Sequence, residues 1–234
     1  MCGRYTLFTP AEELASRFDA TFEEPPEPRY NCAPGQCLPV LTNDDPDRFR
    51  RFKWGLVPPW ADDEGVGNDL INARAETLAE KPSFEAAYER RRCLVPADGF
   101  YEWVKEGDAK QPYRVAFADD RPFAMAGLWE RWEPSHTQTG LGDFGGGSGA
   151  ASDGDDAVES FTIVTTEPND VVADLHHRMA VVLDPDEEAT WLHGDVEEAA
   201  ELLDPSPGDE WEAYPVSTRV NSPANDAPAL IEPV

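Results

Sequence analysis

The sequence predicts a mixed α+β fold with a β-rich, mainly antiparallel core and a few peripheral helices. Short apolar runs of strand length recur along the chain between turn signals. Only a few stretches carry the three-to-four-residue spacing of an amphipathic helix, and they do not alternate regularly with the strands. Hydrophobic residues make up 40% and aromatics 10% of 234 residues, with seven Trp, enough to bury a core despite a formal charge of −28.

Taken in order, residues 9–18 read as a helix. Thr9 is the expected N-cap, Pro10 the first helical residue and Glu12 the capping-box partner, with Leu14 and Phe18 on one face. Residues 23–28 form a Pro-rich connector. A strand over 37–42, a turn over 43–47 and a strand over 48–56 lead to the turn Pro58-Pro59-Trp60. Residues 77–91 read as a helix or helix pair broken near Pro82. Strands follow over 92–96, 99–104, 113–117, 123–132, 160–165 and 179–183. Helices over 185–193 and 196–203 precede a last strand over 211–216. Residues 133–158 have no apolar period and hold Gly145-Gly146-Gly147-Ser148-Gly149, so they read as a flexible Gly/Asp-rich insertion within a single domain, 1–234.

The charge is unevenly spread. Residues 1–117 hold 15 basic and 21 acidic residues; residues 118–234 hold 4 and 26. Arg outnumbers Lys 15 to 4. An acidic, Lys-poor surface suits a cytoplasm of very high salt, where charges are screened within about 3 Å at 1 M, and predicts a halophilic source. No stretch approaches the roughly 18 apolar residues of a membrane span, and no secretory leader is visible. Four Cys do not form a disulfide framework, so a reducing cytoplasm is expected. Cys32 and Cys37 have four residues between them, and there is no Cys-x-x-Cys or His-x(3–5)-His pair, which argues against a zinc site. Phosphate-loop, dinucleotide and Gly-x-Ser-x-Gly signatures are missing as well, so no cofactor is expected.

Cys2 is the sharpest chemical feature. Removal of Met1 ahead of a small residue leaves an amine and a thiol on adjacent carbons, both with usable nucleophilic fractions near neutrality. The amine forms an imine with an aldehyde, and the thiol then closes a five-membered thiazolidine. By position alone Cys2 reads more readily as a buried cysteine near a chain end. Glu102, between Tyr101 and Trp103, is either a desolvated acid–base carboxyl or an outward-facing strand residue. His176 reads as a surface residue beside Arg178 or as a proton carrier. Asn72 and Arg74 read as turn and cap residues as readily as site residues.

Six segments together resemble the SOS-response-associated peptidase (SRAP) family of abasic-site-processing proteins. They are Met1-Cys2-Gly3-Arg4-Tyr5, Tyr30-Asn31-Cys32-Ala33-Pro34, Trp54-Gly55-Leu56-Val57-Pro58-Pro59-Trp60, Asn72-Ala73-Arg74-Ala75-Glu76-Thr77, the run from Arg92 to Trp103, and His176-His177-Arg178-Met179. The resemblance implies a groove for single-stranded DNA and a covalent link between Cys2 and the aldehyde of an abasic site. It implies Glu102 as acid–base residue, His176 as the residue assisting sugar-ring opening, and Asn72 as a hydrogen-bonding anchor. Arg4 and Arg74 become phosphate contacts, and Trp60 and Trp103 stacking residues, although Trp103 reads equally as core. The expected partner is single-stranded DNA bearing abasic sites, bound by a monomer. The family usually has Pro after the Arg-Met pair, where this chain has Ala180. A thiol peptidase using Cys2 and His176, or acting only on Met1, is the alternative activity. If DNA binds, Arg4, Arg29, Arg48, Arg50, Arg51, Lys53, Arg74 and Arg90 to Arg92 are expected on one face.

Overall fold

The computed structural model describes residues 2–107, 109–134 and 157–234; the insertion expected at 133–158 lies mostly outside them. In chain order the strands are β1 (Tyr5–Leu7), β2 (Thr21–Phe22), β3 (Arg29–Cys32), β4 (Cys37–Thr42), β5 (Asp45–Trp54), β6 (Asn72–Arg74) and β7 (Arg92–Ala97). There follow β8 (Gly99–Glu106), β9 (Ala109–Phe117), β10 (Phe123–Trp132), β11 (Val158–Thr166), β12 (Met179–Ala180), β13 (Val182–Leu183) and β14 (Trp211–Pro215). The helices are α1 (Ala11–Phe18), α2 (Glu85–Arg90), α3 (Asp170–Ala173), α4 (Glu188–His193) and α5 (Val196–Ala200). The fold is mixed α+β with mainly antiparallel pairing, as expected.

Five strands close into a small barrel in the order β11-β10-β7-β4-β5, and β5 pairs back onto β11. The first four pairings are antiparallel, so closure of five strands makes the last one parallel, as observed. A second sheet, β14-β9-β8-β1-β3, packs against this barrel. Period-two alternation divides the barrel wall between two cores. Cys93, Val95, Ala97, Phe123, Met125 and Trp129 join residues of β1, β8, β9 and β14 in one core. Leu94, Ala124, Ala126 and Leu128 join α2, α4 and α5 in the other. Gly127 is required here, because a Cβ on it would lie 2.8 Å from Cys93 Sγ and 2.9 Å from Val95 Cγ2.

Several local expectations are corrected. Thr9 does not cap α1; Pro10 occupies the cap position with no side-chain bond. The buried Asp98 carboxylate takes Thr9 instead, accepting from its N–H at 2.9 Å, its Oγ1 at 3.0 Å and the Phe8 N–H at 2.6 Å. The helix expected over 77–91 contracts to α2, preceded by a single 3-10 turn at Ala75–Thr77. Strand β5 starts at Asp45 and ends at Trp54, because Gly55 has φ +126° and packs backbone to backbone against Gly67. Asn72–Arg74 is a strand rather than a turn, paired in parallel with β11 through Ile163↔Asn72.

Candidate active site

Two sheets deliver the candidate residues to one place. Strand β1 pairs with β8 through Tyr5↔Phe100 and Thr6↔Gly99, and the Tyr101 N–H donates to Arg4 O at 3.0 Å. Continuing that antiparallel register brings residues 2 and 3 alongside Glu102. From the barrel side, β11 holds β6 on Ile163 to Thr165 and β12 on Thr165 and Thr166. Asn72 opens β6, and His176 sits in the loop just before β12.

Cys2 is fully buried, and Asn72 Nδ2 donates to its carbonyl oxygen at 3.0 Å. Asn72 Oδ1 is buried with no hydrogen-bond partner, an acceptor held beside the Cys2 backbone. Burial pushes the Cys2 thiol pKa up, and the nearby Glu102 carboxylate pushes it further, so the thiol keeps its proton at neutral pH. Burial also pushes the Glu102 carboxyl up to about 7. Glu102 is therefore an inward-facing strand residue at 2% exposure, the desolvated one of its two sequence readings. His176 Nδ1 lies 3.0 Å from Arg178 O and 3.1 Å from Arg178 N, which fixes the ring through its backbone neighbour. Burial lowers its pKa, so the imidazole is neutral at pH 7.

Above this pair lies an open cavity of about 450 Å³ lined by Arg4, Glu102, Trp103, Lys110, His176 and Asn221. Arg4 Nη1 donates to Asn31 Oδ1 at 3.1 Å and Val220 O at 2.9 Å, both uncharged acceptors. Trp103 Nε1 donates to Asn221 Oδ1 at 2.7 Å, standing the half-buried indole in the cavity wall. Arg74 is exposed and two residues beyond Asn72 on β6, hence on the same strand face.

Trp60 behaves differently. It is 56% exposed, lies outside this cavity, and neighbours Ala61, whose carbonyl accepts from Trp132 Nε1 at 2.9 Å. The basic residues of β5 and the start of β7 do not gather at the cavity either. Arg48 pairs with Asp45, Arg50 with Asp44 and Glu159, Lys53 with Glu64, and Arg91 with Glu130. Arg29 pairs with Asp226, and Arg92 donates to the Gly194 and Asp195 carbonyls. Local carboxylates thus consume most of the cationic charge that the sequence had offered for DNA.

Sequence reasoning passed over four residues here. Asn31 Nδ2 donates to Val220 O, Ser222 O and Asn225 O, clamping the C-terminal segment onto the cavity wall. Asn221 arrives by that route. Arg178 holds Glu76 through both guanidinium nitrogens and also donates to Thr165 O. Lys110 reaches the cavity from β9. Only Asn31 and Arg178 stood within recurring motifs; isolated Asn and Lys residues carry no spacing signal. Among the described residues, no three His, Cys, Asp or Glu side chains cluster as metal ligands, and no helix is long and apolar enough to cross a membrane.

The sequence model described as "SOS response associated peptidase (SRAP)" matches residues 1–223. The chain belongs to the SRAP family. Among curated SRAP-like relatives, the abasic site processing protein YoqW of Bacillus subtilis (strain 168) is 40% identical across 99% of each chain. The abasic site processing protein YedK of Escherichia coli (strain K12) is 33% identical across 100% of each. A solved structure of a protein from Bacteroides thetaiotaomicron superposes over 100% of both chains with a TM-score of 0.83 at 27% identity, so the two share one fold.

Proposed function

We propose that this chain processes abasic sites in single-stranded DNA by forming a thiazolidine crosslink through the amino-terminal Cys2, once Met1 is removed. The observation that carries this reading is that Glu102 and His176 line one cavity walled by Arg4 and Trp103, while Cys2, buried close enough to Glu102 to feel its charge, is hydrogen-bonded to Asn72. The names of the relatives, abasic site processing proteins, support the same substrate.

The chemistry follows from the groups. An abasic sugar is mostly a closed hemiacetal, and neutral His176 is suited to passing a proton during ring opening. The Cys2 amine adds to the exposed C1′ aldehyde, giving a carbinolamine. Glu102, protonated, donates to the departing hydroxyl, and water leaves as the imine forms. The Cys2 sulfur then adds to the imine carbon and its proton passes to the imine nitrogen, closing the thiazolidine. The net change is loss of one water. A carboxyl titrating about pH 7 is both donor and acceptor in turn. Holding the amine at the carbonyl converts an encounter into an intramolecular step, worth several kcal/mol. Asn72 Oδ1 is placed to accept from the Cys2 amine and orient its lone pair.

A thiol peptidase acting on other substrates is the second reading, since Cys2 and His176 are the residue types such a nucleophile–base pair uses. The test is a denaturing gel with an abasic single strand. Processed wild-type chain is expected to give a stable adduct and Cys2→Ala none, since its imine hydrolyses. Abundant stable adduct from Cys2→Ala sinks the reading.

A further inference from the structure

Beyond Arg4 and Arg74, the phosphate contacts that the family resemblance implies, the β8–β9 hairpin offers a further grip on the DNA backbone beside the trapped sugar. The chain has only four lysines against 47 acidic residues. Two of the four face each other: the register pairs Trp103 with Pro112, Val104 with Gln111 and Lys105 with Lys110. Directly paired residues share a sheet face, as do residues two apart on a strand. Trp103, Lys105 and Lys110 therefore lie on one face. Both lysines are exposed. Neither makes an ion pair among the described residues, unlike Lys53, which is held by Glu64. Like charges directly opposite one another weaken a hairpin, so the fold gains nothing from this pairing. Lys110 also lines the cavity that holds Glu102, Trp103 and His176.

An aromatic face flanked by cations that have no ion-pair partner among the described residues is an arrangement that holds single-stranded nucleic acid, with a base on the ring and a phosphate on the cations. The arginine-rich groove along β5 is the competing place for a backbone, but Arg48 and Arg50 there are already neutralised by carboxylates. An incoming phosphate gains less from them.

We propose that Lys105 and Lys110 bind a backbone phosphate next to the abasic nucleotide, on the hairpin face where Trp103 stacks the adjoining base. This assignment rests on the abasic-site reading and makes both lysines positioning residues. They move no proton.

The test uses an oligonucleotide carrying a tetrahydrofuran abasic analogue, which lacks the aldehyde and so reports binding alone. Affinity is measured against KCl across the range in which circular dichroism remains native. For Lys105→Gln/Lys110→Gln, the slope of log K against log salt is expected to shrink by about 0.7 for the lost phosphate contact, with an affinity loss of roughly three- to tenfold at the lowest salt. Lys81→Gln, remote from the hairpin, keeps the wild-type slope. A double variant with the wild-type slope overturns the assignment. Crosslinking of authentic abasic DNA by the wild type is followed alongside. If that fails while the slope still shrinks, the crosslinking reading falls and the phosphate contact stands. No binding by the wild type overturns both.

Discussion

The Cys2 thiol and the Glu102 carboxyl lie close together out of water, and burial raises the pKa of both. Removing charge from solvent is unfavourable, and each charge would also repel the other. Glu102 therefore links stability to pH. Its carboxyl is ordinary in the unfolded chain, near 4.5, and titrates at about 7 when folded. Stability from this group is full below pH 4.5 and is lost as pH rises through 7. The shift corresponds to on the order of 3 kcal/mol. Thermal melting from pH 4.5 to 8 should show the wild type weakening across this window and Glu102→Gln losing that component of the decline. The same variant should crosslink abasic DNA at least tenfold more slowly, since an amide cannot donate and accept in turn. A melting profile for Glu102→Gln that parallels the wild type across the window would mean that Glu102 is ionised throughout, and its acid role would fall.

At the scale of elements, the site depends on short pieces held by long ones. Strands β6 and β12, of three and two residues, are carried by β11. This explains what the sequence disclosed. The longer strands stand out as apolar runs between turn signals, and β4 and β10, buried almost end to end, fall on the expected residues. Strands β1, β2, β3 and β6 have two to four residues, too short to stand out as apolar runs, and were missed or read as turns. The site fared similarly. Cys2, Asn72, Glu102 and His176 stood in recognisable segments, whereas Asn221 and Lys110 reach the cavity only through tertiary pairing. The Glu76–Arg178 pair extends the same logic, because it ties the histidine loop to the turn after β6. Glu76 is half exposed, so Glu76→Gln should change stability by less than about 1 kcal/mol. Crosslinking should nevertheless slow several-fold, with affinity for the analogue DNA unchanged. An unaltered rate would leave that ion pair a role in the fold alone.

Over the whole molecule, −28 charges must coexist on 234 residues, with most of the excess in the second half. Many cations already sit in local ion pairs, so the surplus acids have few partners and repel one another. The Debye length falls from about 10 Å at 0.1 M salt to about 3 Å at 1 M, so molar KCl should relieve this repulsion and raise the melting temperature. The same salt weakens phosphate contacts, because each released counterion gains less entropy in a concentrated salt solution. A protein working there would retain DNA less through its cations and more through stacking and, on the crosslinking reading proposed above, through a covalent bond. The expected result is a melting temperature that climbs continuously between 0.1 and roughly 2 M KCl, by more than in an otherwise identical chain whose exposed acids Glu197, Glu201 and Glu212 are replaced by Gln. Equal melting in both salts would remove the high-salt adaptation, leaving the acidic surface as a solubility feature.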